Sequence, residues 1–326
     1  MSRRVAILGL QGSVLRYAEV ESAAASTAPA PSGAAPEDLS LRRLGTVEFE
    51  GDAERSLLGD GGGPTAPPDP LMAMLERAVR QVLDAEAGAP DALIVAAHPS
   101  HTVSFSTPLP ESLAAEAGHE HLRQEAALLA DVPAGRPVRI RAVPVRSEPL
   151  ARTAGGAAEP HRWHHVLYLS ESVHARLSRL ARSLGVGSYD LVDTTRAAAA
   201  IVRRVDPSGD VDRVVLAVGA YEGHTEYALC RGGAWAYGHH GPGGTPEDTA
   251  YYALALLERL GYDADTPRRL LVYGDDTRAE RFDLLREMTG LGPEPLDPLG
   301  LFGRRPAGAD AAQLAAFAPL LGVALD

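Results

Sequence analysis

The sequence predicts a two-lobed α/β protein. Strands and helices alternate along most of its 326 residues, which is typical of the α/β class. The chain is long for one hydrophobic core, so two lobes are expected. AILGLQGSVLRYAEV from Ala6 and VLAVGAYEGHTEYALC from Val215 each combine a strand, a glycine turn and a strand with a Tyr-Ala pair. This similarity indicates two related halves, although two hairpins with glycine turns also arise by chance.

Composition excludes several functions. The net charge of −12 argues against non-specific nucleic-acid binding, because phosphates would not be neutralised. All 31 basic residues are arginine, which rules out Schiff-base catalysis and a P-loop lysine. The single cysteine, Cys230, allows no disulfide within the chain and indicates a reducing compartment. The N-terminal apolar run is too short for a signal sequence, and no segment reaches the ~18 apolar residues of a membrane span. We expect a cytoplasmic protein without direct membrane insertion.

The first half of the chain opens with a predicted hairpin, residues 5–10 and 15–20, around Gln11-Gly12-Ser13. An Ala/Pro/Ser-rich stretch follows and predicts a flexible loop. Helical spacing of apolar residues predicts a helix over 71–84, and the unbroken apolar run ALIVAA predicts a strand buried on both faces at 92–97. Composition or alternation predicts a strand at 44–50, a helix at 110–130 and an edge-type strand at 137–145.

The second half has clearer boundaries. Asp193 is a good N-cap for a helix over 194–205, and Thr245-Pro246 begins a helix that Gly261 ends. Thr277 and Glu280 form a capping-box pattern, which predicts a helix to about residue 288. Apolar runs predict strands at 166–169, 189–192, 211–218 and 269–273, and periodicity predicts helices at 173–184 and 310–317.

A fold in which each of two halves opens with a hairpin is suited to clasping a nucleotide. Backbone N–H groups in a glycine turn point at phosphate oxygens, and an aspartate on the preceding strand holds the waters of Mg²⁺. The chain resembles the actin-like ATPase superfamily, and within it the PilM/FtsA-like proteins of pilus assembly and cell division. The resemblance covers nearly the whole chain in order, from VAILGLQGSVLRYAEV through DALIVAAHPSHTVSFSTPLP, LSRLARSLGVGSYDLVDTTR, the second hairpin and LLVYGDD to PEPLDPLG and FAPLLGVAL.

The resemblance implies a bilobed, duplicated ribonuclease H-like fold with a small inserted subdomain and a reduced second lobe. It implies a first lobe over 1–100 with a disordered loop at 22–40, an inserted subdomain over 101–165 and a return to the first lobe over 166–210. The second lobe then covers 211–305, and a C-terminal helix in 306–326 packs on the first lobe. The implied nucleotide-contacting residues are Gly9, Gly12, Ser13, Gly219, Glu222, Gly223, Gly243, Gly274, Asp275 and Asp276.

Departures from the family pattern affect the metal chemistry. The two family aspartates fall on Gly9 and Ala217, so Mg²⁺ loses both strand carboxylates. Glu222, Asp275 and Asp276 are nearby acids that could replace them or remain solvated surface charges. The resemblance therefore implies no catalytic residue, no metal and at most ATP bound without hydrolysis. The glycines could equally serve only to permit positive φ in turns.

The resemblance implies a non-catalytic or weakly nucleotide-binding adaptor. In the family, the cleft beside the inserted subdomain takes a short peptide of a membrane partner, which would place this chain peripherally at the inner membrane. Here that site would be the sheet edge at 138–145, where Arg136, Arg139, Arg141 and Arg146 suit an acidic peptide or simply guard the edge. The alternatives are an active ATPase, a sugar-kinase-like phosphotransferase, or an actin-like protein unrelated to pili.

Histidine pairs are a further feature, since His-x-x-His can chelate a metal. They occur at His98 and His101, at His119 and His121, in His161-Arg-Trp-His164-His165, and at His239-His240. They fall at predicted strand ends and loops without an HExxH motif or a matching Cys or Asp set. We interpret them as surface histidines rather than metal ligands.

Overall fold

The computed structural model describes residues 3–22, 39–59, 70–83, 88–98, 102–133, 135–150, 159–207, 210–302 and 314–326. Its strands are β1 (Arg3–Gln11), β2 (Val14–Ser22), β3 (Leu39–Glu48), β4 (Ala92–Ala97), β5 (Ser104–Pro110), β6 (Arg139–Leu150), β7 (Glu159–Leu169), β8 (Tyr189–Asp193), β9 (Val214–Ala220), β10 (His224–Arg231), β11 (Ala234–Pro242), β12 (Pro267–Gly274) and β13 (Pro293–Pro295). Its helices are α1 (Ala53–Leu58), α2 (Pro70–Val82), α3 (Ala115–Leu129), α4 (Glu171–Ser183), α5 (Thr194–Val205), α6 (Pro246–Arg259), α7 (Asp283–Thr289) and α8 (Ala318–Leu325).

Two sheets have the same topology. The first lobe contains the order β3-β2-β1-β4-β8, and the second lobe contains the order β11-β10-β9-β12-β13. In both, the central strand pairs antiparallel with its hairpin partner on one side and parallel with a later strand on the other. The prediction of two similar halves is therefore confirmed, and the two strand–turn–strand segments are the equivalent hairpins.

Helices α5 and α8 form a hydrophobic core that joins the lobes, here called the interlobe core. It combines first-lobe residues such as Ile7 and Ala96 with second-lobe residues such as Ala217 and Leu271. Helix α5 is rich in alanine, so α8 can approach it closely, and a Cβ atom at Gly322 would overlap the backbone carbonyl of α5. The two lobes are thus joined by one shared apolar core.

Separate cores cover the outer faces. Helices α1, α2 and α4 pack on the outer face of the first sheet, and α6 and α7 pack on that of the second. A third sheet, β5-β7-β6, is inserted between β4 and α4 and carries α3. Only α6 separates β11 from β12, so the second lobe is reduced, as the sequence predicted.

Several predicted elements differ from the structure. The helix predicted over 110–130 is present but starts later, at Ala115, because Pro110 is the last residue of β5 and pairs with β7. The capping box at Thr277 is wrong: Thr277 is buried, and a 3-10 turn over Ala279–Phe282 precedes α7. The helix predicted over 310–317 falls partly on residues 310–313, outside the described residues, and the last described helix is Ala318–Leu325.

The loop predicted at 22–40 falls largely on residues 23–38, outside the described residues; Ser22 ends β2, and Leu39 begins β3.

Candidate functional site

A buried polar cluster lies where the two lobes meet. His98 follows the carboxyl end of β4, and Thr194 begins α5 directly after β8. The second lobe supplies His224 and Glu226 from β10 and Tyr273 from β12. We call these five residues the Glu226 cluster. Its carboxylate is fully buried, and the two histidines are 4% and 7% exposed.

Hydrogen bonds converge on the Glu226 carboxylate. Its Oε1 accepts from His98 Nδ1 at 2.6 Å, from Thr194 Oγ1 at 2.7 Å and from His224 Nε2 at 3.2 Å. Its Oε2 accepts from the Tyr273 hydroxyl at 3.1 Å. Because His98 and Thr194 belong to the first lobe, the carboxylate holds the lobes together through charge-assisted hydrogen bonds.

Strand geometry places the two β10 residues on one face. His224 and Glu226 are two residues apart, so both side chains point to the same side as Ala228 and Cys230, which belong to the interlobe core. Gly219 is the β9 neighbour of Glu226, and a Cβ atom there would overlap the Tyr273 ring. Glycine at this position lets Tyr273 lie across β9 and reach the carboxylate.

The environment fixes the charges of the cluster. Burial raises the pKa of Glu226, but the charges of the neighbouring histidines and their hydrogen bonds outweigh it, so its pKa lies far below the ordinary value. Burial lowers the pKa of His98, yet the Glu226 charge and hydrogen bond leave it raised overall. Burial and the same carboxylate raise the pKa of Tyr221 and Tyr273 well above 10.

A second buried pair ties the inserted sheet to the first lobe. His165 Nε2 on β7 lies 3.2 Å from Asp193 Oδ2, and the other oxygen of Asp193 caps α5 by accepting from Thr195 N at 2.8 Å. The predicted N-cap is therefore present. Burial raises the pKa of Asp193, but the hydrogen bond and charge of His165 outweigh it, so the net pKa is below the ordinary value.

The first predicted phosphate turn has its polar groups engaged. Gly12 lies in the β1–β2 turn with φ 53°, and its N–H donates to Glu54 Oε2 at 2.8 Å. The carbonyl of Ser13 accepts from Phe49 N at 2.9 Å. Gly9 lies within β1, where a Cβ atom would be 3.3 Å from Leu320 of α8. The position at which the resemblance puts the first aspartate is thus packed against the C-terminal helix.

The second hairpin is arranged differently from the prediction. Gly219 lies inside β9 rather than in a turn, because the β9–β10 turn begins only after Ala220. Glu222 and Gly223 are exposed in that turn. Gly243 follows β11, and its N–H faces the carbonyl of Gly223 at 3.4 Å. Gly223 and Gly243 therefore lie close together at one end of the second lobe.

The turn of LLVYGDD, which contains three of the implied nucleotide contacts, follows β12. Gly274 has φ 95°, and the N–H groups of Asp275 and Asp276 both donate to the carbonyl of Ala220, at 2.9 and 3.1 Å. The Asp275 carboxylate forms an ion pair with Arg16 of the first lobe. Asp276 forms an ion pair with Arg278 at 2.7 Å. Both turn acids therefore have arginine partners.

Sequence inspection missed the Glu226 cluster. The interpretation of His98 and His165 as surface residues is wrong, since each is 4% exposed. The available signal was the pair His224 and Glu226 at alternate positions of an otherwise apolar strand, which requires a buried polar partner. His98 is 128 residues from Glu226, so the sequence could not supply that partner.

A second candidate site is the cavity of about 490 Å³ that we call the β6–β8 cleft. Strand β6 is an edge strand of the inserted sheet, and β8 is an edge strand of the first sheet. Three successive residues of each strand line the cleft. Arg139 pairs with Glu171 at 3.0 Å, and Arg141 pairs with Asp190 at 2.5 Å. Arg182 and apolar residues of β7 and α4 complete the lining.

No protein-family model matches the chain, and no curated protein sequence is significantly similar to it. Solved structures do show similarity. One, described as a PilM-PilN type IV pilus biogenesis complex, is 14% identical with a TM-score of 0.64, over 98% of this chain and 96% of that chain. Another, a protein from Bacteroides thetaiotaomicron with an actin-like ATPase fold and unknown function, is 11% identical with a TM-score of 0.50, over 93% and 96%. The chain has the actin-like ATPase fold.

Proposed function

We propose that this chain is a non-catalytic adaptor that binds an extended segment of a membrane partner at the cytoplasmic face of an envelope assembly. The proposal rests on the β6–β8 cleft. There the edge strands of two sheets line a cavity of about 490 Å³. An extended peptide can add to such an edge through main-chain hydrogen bonds. The structural similarity to a PilM-PilN complex supports a partner of this kind.

The lining favours a peptide with acidic and apolar residues in alternation. Arg139, Arg141 and Arg182 line the cleft, while Leu167 and Leu169 provide apolar contacts on the same side of β7. Acidic side chains of a ligand could replace Glu171 and Asp190 as partners of the arginines. The same ion pairs would also protect the edges from aggregation, and the experiment below separates the two roles.

The proposed absence of catalysis rests on what occupies the nucleotide cleft. Gly9 and Ala217 stand where the family pattern has carboxylates, and both pack in the apolar junction between the lobes. The N–H groups of Gly12, Asp275 and Asp276 already donate to protein oxygens. A phosphate would have to displace these contacts, so we propose that ATP is neither hydrolysed nor tightly bound. None of the helices in the described ranges is long and apolar enough to cross a membrane.

Site-specific photocrosslinking in the native host tests the peptide site. A photoreactive residue at Gly187, which lines the cleft and has open space around it, should crosslink to one extended segment of a membrane protein. The same residue at Met74, which is exposed on α2, is the matched control and should not. Equal crosslinking at both positions, or only soluble proteins at Gly187, would contradict the proposal.

Calorimetry with the identified peptide then tests the arginines. Arg141→Glu should weaken binding at least tenfold, whereas Arg278→Glu, a charge reversal outside the cleft, should leave it unchanged. If both variants bind like the original chain, the arginines guard the edge and do not recognise the ligand. Phosphate release from Mg-ATP should be absent; turnover lost on changing Asp275 or Glu222 to alanine would favour an ATPase.

A further inference from the structure

The Glu226 cluster contains three side chains whose ligand atoms converge. One ring nitrogen of His98, one of His224 and a carboxylate oxygen of Glu226 all lie within 4.8 Å of one another, and all three residues are buried. The three ligands come from both lobes, since His98 follows β4 and the other two lie on β10. An ion at their centre would join the two lobes.

The hydrogen bonding of Glu226 is overcrowded without an ion. One oxygen, Oε1, receives His98, Thr194 and His224, but a carboxylate oxygen has only two lone-pair sites. Three donors therefore share one oxygen, and the contact from His224 is the longest of the three. A cation that binds the lone pairs of both imidazoles and the carboxylate would leave this oxygen with Thr194 as its hydrogen-bond donor.

A fourth polar group faces the same junction. The Tyr221 hydroxyl is buried and has no hydrogen-bond partner in the described part of the chain. Its ring stacks on His224 at 4.7 Å and meets the His98 ring edge-on at 4.6 Å between centroids. The hydroxyl could serve as a partner for water held on an ion, since buried hydroxyls normally find one.

Two imidazoles and one carboxylate are the donor set that zinc takes when a fourth position is left for water. Mg²⁺ and Ca²⁺ prefer oxygen ligands, so this set selects against them. Zinc bonds of about 2.0–2.2 Å put tetrahedral ligand atoms about 3.4 Å apart. The present separations of 2.6 and 3.2 Å from Oε1 need an expansion of less than about 1 Å.

Both oxygens of the Glu226 carboxylate accept hydrogen bonds from neighbouring hydroxyl groups, as the carboxylate ligands of metal sites do. Thr194 donates to one oxygen of Glu226, and Tyr273 donates to the other. Such partners orient a ligating carboxylate and tune its affinity for the metal. From this geometry we infer that His98, His224 and Glu226 form a zinc site that fastens the two lobes. This site is independent of the peptide proposal above.

Metal analysis of the untagged full chain tests the inference. After chelation and titration with zinc alone, the original chain should bind one ion, and His224→Gln and Glu226→Gln should bind at least about 100-fold more weakly, beyond the loss typical of outer-shell changes. His165→Gln is the matched control, because it breaks a similar buried pair outside the site. The exposed double change His119→Gln and His121→Gln controls for surface binding. Both controls should retain the ion.

Two further measurements keep the test decisive if Glu226→Gln fails to fold. Cobalt bound to the original chain should show the intense visible bands of a four-coordinate site, and these should be absent from His224→Gln. Thr194→Val should reduce zinc affinity about 10- to 100-fold, as loss of an outer-shell partner does. A folded original chain that binds no stoichiometric zinc, or equal binding by His224→Gln, would overturn the inference.

Discussion

Placing an aspartate at position 217 tests whether the cleft between the lobes is closed. The family pattern has a carboxylate there, so an open nucleotide site should tolerate it. In this structure Ala217 is fully buried in the interlobe core, between Ala228 of β10 and Leu271 of β12. An aspartate side chain would therefore enter a packed apolar region without a cation to meet it.

The cost can be estimated from burial. A buried carboxyl without a partner becomes neutral. At pH 7, roughly three units above the ordinary aspartate pKa, this costs about 4 kcal/mol at ~1.4 kcal/mol per unit. Overpacking adds about 1–3 kcal/mol. The sum approaches the whole stability of an ordinary domain, about 5–15 kcal/mol. We expect Ala217→Asp to be strongly destabilised at pH 7 and 25 °C.

The pH dependence separates charge from size. A raised carboxyl pKa destabilises the fold above the unfolded-state pKa near 4, and the penalty falls as the pH is lowered towards it. Urea unfolding of Ala217→Asp, measured relative to the original chain, should therefore improve by about 2–3 kcal/mol between pH 7 and pH 5. Ala217→Asn has nearly the same size and no titrating group, so its deficit should not change over this range.

Position 217 is not closed if Ala217→Asp is as stable as Ala217→Asn at pH 7. Binding of Mg-ATP by Ala217→Asp at millimolar concentration in calorimetry would contradict the closed junction more strongly. Either result would mean that position 217 faces an open, solvated cleft.

Two further changes test the packing and charges around the Glu226 cluster. Gly219→Ala should lower the free energy of unfolding by about 1–3 kcal/mol in urea, because the added methyl group displaces Tyr273, whereas Gly187→Ala meets nothing within 4 Å and should have little effect. Asp193→Asn keeps a good N-cap but loses the charge that faces His165. The pKa of Asp193 is lowered in the folded state. Its ionised carboxylate therefore stabilises the fold above about pH 4, and this stabilisation is lost as the pH falls through the folded-state pKa. The stability difference from Asp193→Asn should thus be larger at pH 6 than at pH 3; equal differences would contradict the pairing.

Local sequence patterns determined the elements and their order. The apolar run at β4 and the Asp193 cap of α5 each follow from a few neighbouring residues, and both are found as predicted. The repeated strand–turn–strand segments predicted the equivalent hairpins of two sheets with one topology. These features depend on periodicity and turn chemistry, which a short stretch of chain contains in full.

Only the tertiary structure decided what fills the space between the lobes. Leu320 packs at Gly9 because α8 returns to the junction from the far end of the chain, and His98 meets Glu226 across 128 residues. No local pattern encodes either contact, since both depend on how two separately formed sheets pack together. The sequence alone determined a fold with two clasping hairpins. Whether the hairpins enclose a nucleotide or a buried carboxylate is decided by long-range packing, because burial and charge pairing act between residues that are distant in the chain.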